Sequence, residues 1–240
     1  MDRDDGEDLW VGDLLRYRLP TGVVVLADPR GTLVHGTGSG LWASGQILSR
    51  YLGGMPELCR DALCLEVGAG TGAVGLTVAA CGARLVVLTD LEQQMPLLRR
   101  NVEENCPAGD RVRTLPLDWR MPEQRGALAT WSRQWTLVVG SDVGYDPDLL
   151  PPLLETLESQ CSPDTVAYLA LADRQEEGEP NVADFLRLAE RAFECQQVHE
   201  GRLEPQQSLT KVLRMRLRGP APGGAAPAAA LPPPSGGALG

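Results

Sequence analysis

The chain has 240 residues and a net charge of −10, with acid crowded at Asp2, Asp4, Asp5, Glu7 and Asp8. That charge argues against nucleic acid as a partner, because binding a phosphate backbone needs a basic stripe. His35 and His199 are the only histidines, so a histidine metal centre or a serine–histidine triad has almost nothing to draw on, and the chain reads as metal-free.

The N-terminus lacks the basic start and apolar core of a signal peptide, and no apolar run reaches the roughly 18 residues of a membrane span. No membrane partner is therefore expected. The six cysteines form no CxxC pair, which points to buried thiols in a reducing compartment, the cytoplasm and with it the nucleus. Lys211 is the only lysine among 22 basic residues, a bias that matches the richness in Ala, Gly, Pro and Arg.

Residues 1–13 read as an acidic, flexible N-terminus. Two short apolar runs in "LRYRLPTGVVVLADP" (14–28) flank Pro20-Thr21-Gly22, a hairpin signal. Leu41, Ile47, Leu48, Tyr51 and Leu52 recur near helical spacing, so 40–52 is an amphipathic helix. Strands and helices then alternate. Strands are expected at 62–67, 84–90, within 111–119, at 135–141 and at 165–172. Helices are expected at 72–82, at 95–105 behind Pro96, and in the Leu-rich run from Leu149 to Leu157. Val182, Phe185, Leu186, Ala189 and Phe193 make another helical face. Residues 210–218 alternate and read as a last strand. From 219 to 240 the chain is uncharged Pro, Ala and Gly, a disordered low-complexity tail.

Strands apolar on both faces and separated by helices imply an α/β, doubly wound, mostly parallel sheet with helices on both sides, here in one domain over 14–218. Ligands of such folds sit beyond the carboxyl ends of the strands, and four strand ends carry chemistry. Glu66-Val67-Gly68-Ala69-Gly70-Thr71-Gly72 closes the first. Gly70 to Gly75 spells GxGxxG, and Asp90 lies 20 residues on, the spacing of a dinucleotide fingerprint. Asp90 suits ribose hydroxyls in a dinucleotide or in S-adenosylmethionine. Glu66 separates the two, since a charged carboxylate repels a pyrophosphate and attracts a sulfonium and an ammonium. Asp118 and Trp119 end the third strand, where a carboxylate can accept from an adenine amino group and an indole can cover the base. Ser141, Asp142 and Tyr145 end the fourth, where a carboxylate and a hydroxyl can grip and aim an amine.

"WASGQILSRYL", "LEVGAGTGAVGL", "LTDLE", "LDW" and "SDVGYD" together resemble the seven-β-strand protein-lysine methyltransferases grouped as methyltransferase family 16, over about residues 14–218. The resemblance implies a seven-stranded, Rossmann-like class I fold and S-adenosylmethionine as cofactor. It implies a lysine of an intracellular protein as acceptor, such as one of a chaperone or a translation factor; a monomer is expected. It places donor contacts at Trp42, Gly68, Ala69, Gly70, Asp90, Trp119 and Ser141, beside Glu66 and Asp118 from the residue reading, with Asp142 and Tyr145 as the catalytic pair. Gly144 departs from the bulky apolar residue usual before that tyrosine, and Gly36, Gly38 and Gly40 ahead of Trp42 suggest a mobile entrance. The alternatives are methyl transfer to arginine or a small molecule, a nicotinamide-dependent oxidoreductase, and a scaffold without catalysis.

Overall fold

A computed structural model describes residues 9–106, 111–132, 134–174 and 182–219. The chain opens with β1 (Leu9–Val11), β2 (Leu14–Arg18) and β3 (Val24–Ala27), an antiparallel three-stranded sheet. The hairpin at Pro20-Thr21-Gly22 is present, with Gly22 at φ 85. The supposedly flexible N-terminus is corrected in part, because Leu9–Val11 pairs with Leu14–Arg16 as β1. Residues 1–8 and the tail expected from 219 onward lie outside the described residues, except Gly219.

The main domain continues through α1 (Ala43–Gly53), β4 (Leu63–Val67), α2 (Ala73–Ala80), β5 (Leu85–Asp90), α3 (Met95–Asn105), β6 (Val112–Pro116) and α4 (Pro122–Ala127). It closes with β7 (Leu137–Ser141), α5 (Leu150–Gln160), β8 (Val166–Asp173), α6 (Val182–Ala189), β9 (Phe193–Gly201) and β10 (Leu209–Leu217). One seven-stranded sheet has the order β6-β5-β4-β7-β8-β10-β9, and β10 runs antiparallel to both neighbours. The strand order reverses between β4 and β7, the switch point where α/β sheets bind ligands.

Two expectations needed correction. Phe193 is not on the last helical face; it begins β9 and is fully buried. β9 itself was not legible, because FECQQVHEG sits at the sheet edge with mostly polar, exposed side chains, as edge strands do.

Alternation along the strands sorts the core into two layers. Cys64, Val86, Leu88, Val139 and Ala170 face α1 and α2, while Leu65, Val67, Val87, Val138 and Leu169 face α5 and α6. α2 is apolar all round because it is enclosed, with Ala73 to Ala79 all buried.

The small sheet is tied to the large domain by polar contacts. Asn101 and Asn105, one turn apart on α3, present their amides to the outer edge of β3. Asn101 Oδ1 accepts from the Leu26 N–H at 2.8 Å, and its Nδ2 donates to the Leu26 carbonyl at 2.9 Å. Asn105 does the same for Val24, at 2.8 and 2.6 Å. Asn101 Nδ2 also donates to the Thr71 carbonyl at 2.8 Å, which joins this edge to the glycine turn.

Candidate active site

The carboxyl ends of β4, β5, β6 and β7 and the start of α1 enclose a cavity of about 550 Å³. Of the eleven residues singled out from sequence, all but Glu66 line it.

The glycine turn forms its floor. Gly68, Gly70 and Gly72 have φ of 61, 52 and 78, a left-handed backbone that side chains disfavour. A Cβ on Gly68 would lie 2.7 Å from Val143 and 3.2 Å from Trp119, and so would fill the cavity. Ala69 is held by its N–H to the Thr89 carbonyl at 2.9 Å. Asp90, at the end of β5, accepts from the Gly70 N–H at 2.7 Å and from the Leu91 N–H at 2.7 Å. Burial pushes its carboxyl pKa up, against the pull of those two N–H groups.

Glu66 is the exception. Strand parity turns it under α2, where it is fully buried and accepts from the Gly75 N–H at 2.9 Å. Gly75 leaves it room: a Cβ there would meet Glu66 Oε2 at 2.5 Å and Leu88 at 2.2 Å. The third glycine of GxGxxG therefore serves helix–strand packing. Burial raises the Glu66 pKa to about 8; Gly75 opposes that rise and Asp90 adds to it. At neutral pH the carboxyl is mostly uncharged. The expectation that its charge selects the ligand is therefore corrected, and Asp90 is the carboxylate that meets the cavity from this side.

At one end of the cavity, Trp119 is half-buried, and Arg120 holds Asp118 through both oxygens at 2.9 and 2.6 Å. That hydrogen-bonded guanidinium lowers the Asp118 pKa. At the other end Ser141 closes β7, against the first turn of α1; a Cβ on Gly45 would lie 3.3 Å from its Oγ. Asp142 has φ 55 and is 8% exposed, and its N–H bonds the Ala170 carbonyl at 2.8 Å. A non-glycine residue held left-handed at a cavity wall marks backbone set by its surroundings. Arg174, just past β8, donates from Nη2 to Asp142 Oδ1 at 2.8 Å. Gly144 packs over Leu171 and Leu150, so the loop before Tyr145 is filled from beneath.

Trp42 stands at the mouth, 50% exposed, with its indole N–H donating to the Thr37 carbonyl at 2.7 Å. The three entrance glycines lie in a strap, residues 35–40, which crosses the glycine turn. Ser39 accepts from the Asp28 N–H at 2.8 Å, and Gln94 Nε2 donates to the His35 carbonyl at 2.6 Å.

Thr37, Gln94 and Arg174 line the cavity and were not found from sequence. Arg174 follows the fifth strand end and obeyed the strand-end rule already applied to four others. Thr37 and Gln94 lie off the strands and carried no such signal.

The profile of the lysine methyltransferase family matches residues 30–191, more than half of the chain. The chain belongs to that family. The mouse protein N-lysine methyltransferase METTL21A is 33% identical over 165 residues, covering 68% of this chain and 72% of the relative. The mouse EEF1A lysine methyltransferase 3 is 32% identical over 143 residues, covering 60% of this chain and 59% of the relative. Among solved structures, the magnesium protoporphyrin IX methyltransferase of Synechocystis, with bound SAM, superposes at a TM-score of 0.55. It is 16% identical and covers 73% of this chain and 80% of its own, a likeness of fold. The family thus supplies the reaction class.

Proposed function

We infer that this lysine methyltransferase takes its methyl group from S-adenosylmethionine and places it on a lysine of an intracellular protein. One observation carries the reading: the glycine turn, Asp90 and the Asp142–Tyr145 pair all face one cavity. The cavity suits an elongated donor. Trp119 and Asp118 can take the adenine, Asp90 the ribose hydroxyls, and Gly68 to Gly70 the close backbone approach. Ser141 and Trp42 flank the methionine end. When bound, the donor supplies an electrophilic methyl carbon on a sulfonium, open to in-line displacement without a covalent enzyme intermediate.

The chain's own task is to deliver an amine with its lone pair free. A lysine amine has an ordinary pKa of about 10.4, so it arrives as an ammonium. Desolvation of the amine as it enters the cavity favours its neutral form, the proton leaving to water. Asp142 and the Tyr145 hydroxyl accept from the nitrogen and aim it, and Arg174 offsets the Asp142 charge that would otherwise hold the proton on.

A translation factor is the acceptor class favoured here, since relatives are named as EEF1A lysine methyltransferases. The reading places the protein in the cytoplasm and nucleus as a monomer. Six free cysteines support a reducing compartment, and among the described residues no helix is long and apolar enough to cross a membrane.

The test is incubation with methyl-labelled S-adenosylmethionine and a cell extract, followed by mapping of the label. Label on lysine is expected. Label on arginine or on small molecules alone would overturn the acceptor class.

A further inference from the structure

We propose that Thr37 is the positioning residue that ties occupancy of the donor cavity to the orientation of Tyr145, a step that rests on the reading above. The strap at residues 35–40 is fixed to the donor side of the cavity. Gln94 holds its start through the His35 carbonyl at 2.6 Å, and the Asp28 N–H holds its end through the Ser39 carbonyl at 2.8 Å. Between them, Gly38 lies against the glycine turn, its carbonyl 3.2 Å from where a Cβ on Gly70 would stand. Gly38 itself has no room for a side chain, because a Cβ there would meet Gln94 Cδ at 2.8 Å. The strap therefore reports on the turn and Asp90 side of the cavity, where the donor is held.

Thr37 uses its two polar groups in different directions. Its carbonyl accepts the Trp42 indole N–H at 2.7 Å, on the donor side. Its hydroxyl meets the Tyr145 phenol at 2.9 Å, on the acceptor side. This contact spans 108 residues of chain and joins the strap to the loop after β7. Tyr145 is only half-buried, and a phenol on a loop otherwise has rotational freedom. A hydrogen bond to a strap pinned over the donor turn removes that freedom. Donor resting on the turn further steadies the strap, and with it the hydroxyl that the amine meets.

The test uses the full chain with Thr37→Val, which keeps the branched shape and the carbonyl but loses the hydroxyl, together with Thr37→Ser and Tyr145→Phe. Calorimetry with S-adenosylmethionine should give Thr37→Ser an affinity near that of the wild type, and Thr37→Val and Tyr145→Phe an affinity weaker by about two- to threefold, because coupling is reciprocal. With labelled donor and cell extract, Thr37→Val should lose about tenfold in initial labelling rate, the size of one productive hydrogen bond. Thr37→Ser should restore the rate. The Thr37→Val, Tyr145→Phe double variant should be no slower than the slower single variant, because the two act as one unit.

Amide exchange gives a readout that needs no acceptor. S-adenosylmethionine should slow exchange at 36–42 and at 143–146 in the wild type, and at 36–42 alone in Thr37→Val. Wild-type labelling and wild-type protection in Thr37→Val, or rate losses that multiply in the double variant, would overturn the coupling and leave the methyltransferase reading intact. A wild-type protein that fails to bind S-adenosylmethionine would instead overturn the donor assignment, and the coupling with it.

Discussion

Asp142 and Arg174 form the most consequential pair at the scale of single residues. The carboxylate proposed to aim the amine is almost buried and already bonded to a guanidinium at 2.8 Å. Asp142→Ala removes the carboxylate proposed to aim the amine and leaves the Arg174 charge no longer offset by it. Turnover of labelled donor on extract should be abolished, while calorimetric donor affinity stays within about threefold, since the turn and Asp90 are untouched. Loss of donor affinity as well would mark the variant as misfolded. Gly68→Ala should do the reverse. Its Cβ would enter the space of Val143 and Trp119, so donor binding itself should fail in the calorimeter.

Glu66 makes a prediction about pH. Its pKa is about 8 in the folded protein and an ordinary carboxyl value in the unfolded chain, so the folded state holds the extra proton between those two values. Its favourable contribution is complete below the unfolded value and is lost as pH rises through about 8. Glu66→Gln keeps the acceptor for the Gly75 N–H and cannot ionise. The variant's thermal midpoint should therefore fall less than that of the wild type between pH 6 and 9. Parallel curves would show that Glu66 is ionised throughout.

At the scale of elements, α3 does work that a helix rarely does. Asn101 and Asn105 act as a substitute strand for β3, and Asn101 reaches on to the glycine turn. Asn101 is fully buried, so Asn101→Ala leaves the Leu26 N–H and two carbonyls without partners. The cost should be about 1–3 kcal/mol for each unsatisfied group, read from urea unfolding. Asn105→Ala, in a partly buried site, should cost less. The pattern from β4 to β8 was legible, apart from the six-residue α4, because β4, β5, β7 and β8 are apolar on both faces and the longer helices show their full period. β9 was not, because most of its residues are polar and a bulge at Val198 shifts its inward positions out of the period of two. β1 escaped for a related reason: three residues are too few to show a period.

At the scale of the whole molecule, the cavity proposed for the donor joins elements that are distant in sequence, from Trp42 to Ser141. Binding should therefore stabilise the entire fold by mass action, by about 2.7 kcal/mol at a hundredfold excess over Kd. S-adenosylmethionine should raise the thermal midpoint, and a nicotinamide dinucleotide at equal concentration should leave it unchanged. An equal rise with the dinucleotide would sink the donor assignment.

The sequence by itself determined six of the seven strands of the large sheet, the order in which their ends arrive, and ten residues that meet the cavity. Those follow from local rules: apolar runs bury, glycines turn, and polar residues after a buried strand have no packing reason to be there. Only the tertiary structure decided where charge resides. Glu66 sits in a motif that reads as a ligand contact, yet strand parity turns it beneath α2 and burial takes its charge away. Thr37 carries no motif and Arg174 only a strand-end position, yet folding brings them to Tyr145 and Asp142. Parity, desolvation and contacts across more than a hundred residues depend on which groups face one another, and a linear pattern does not hold that information.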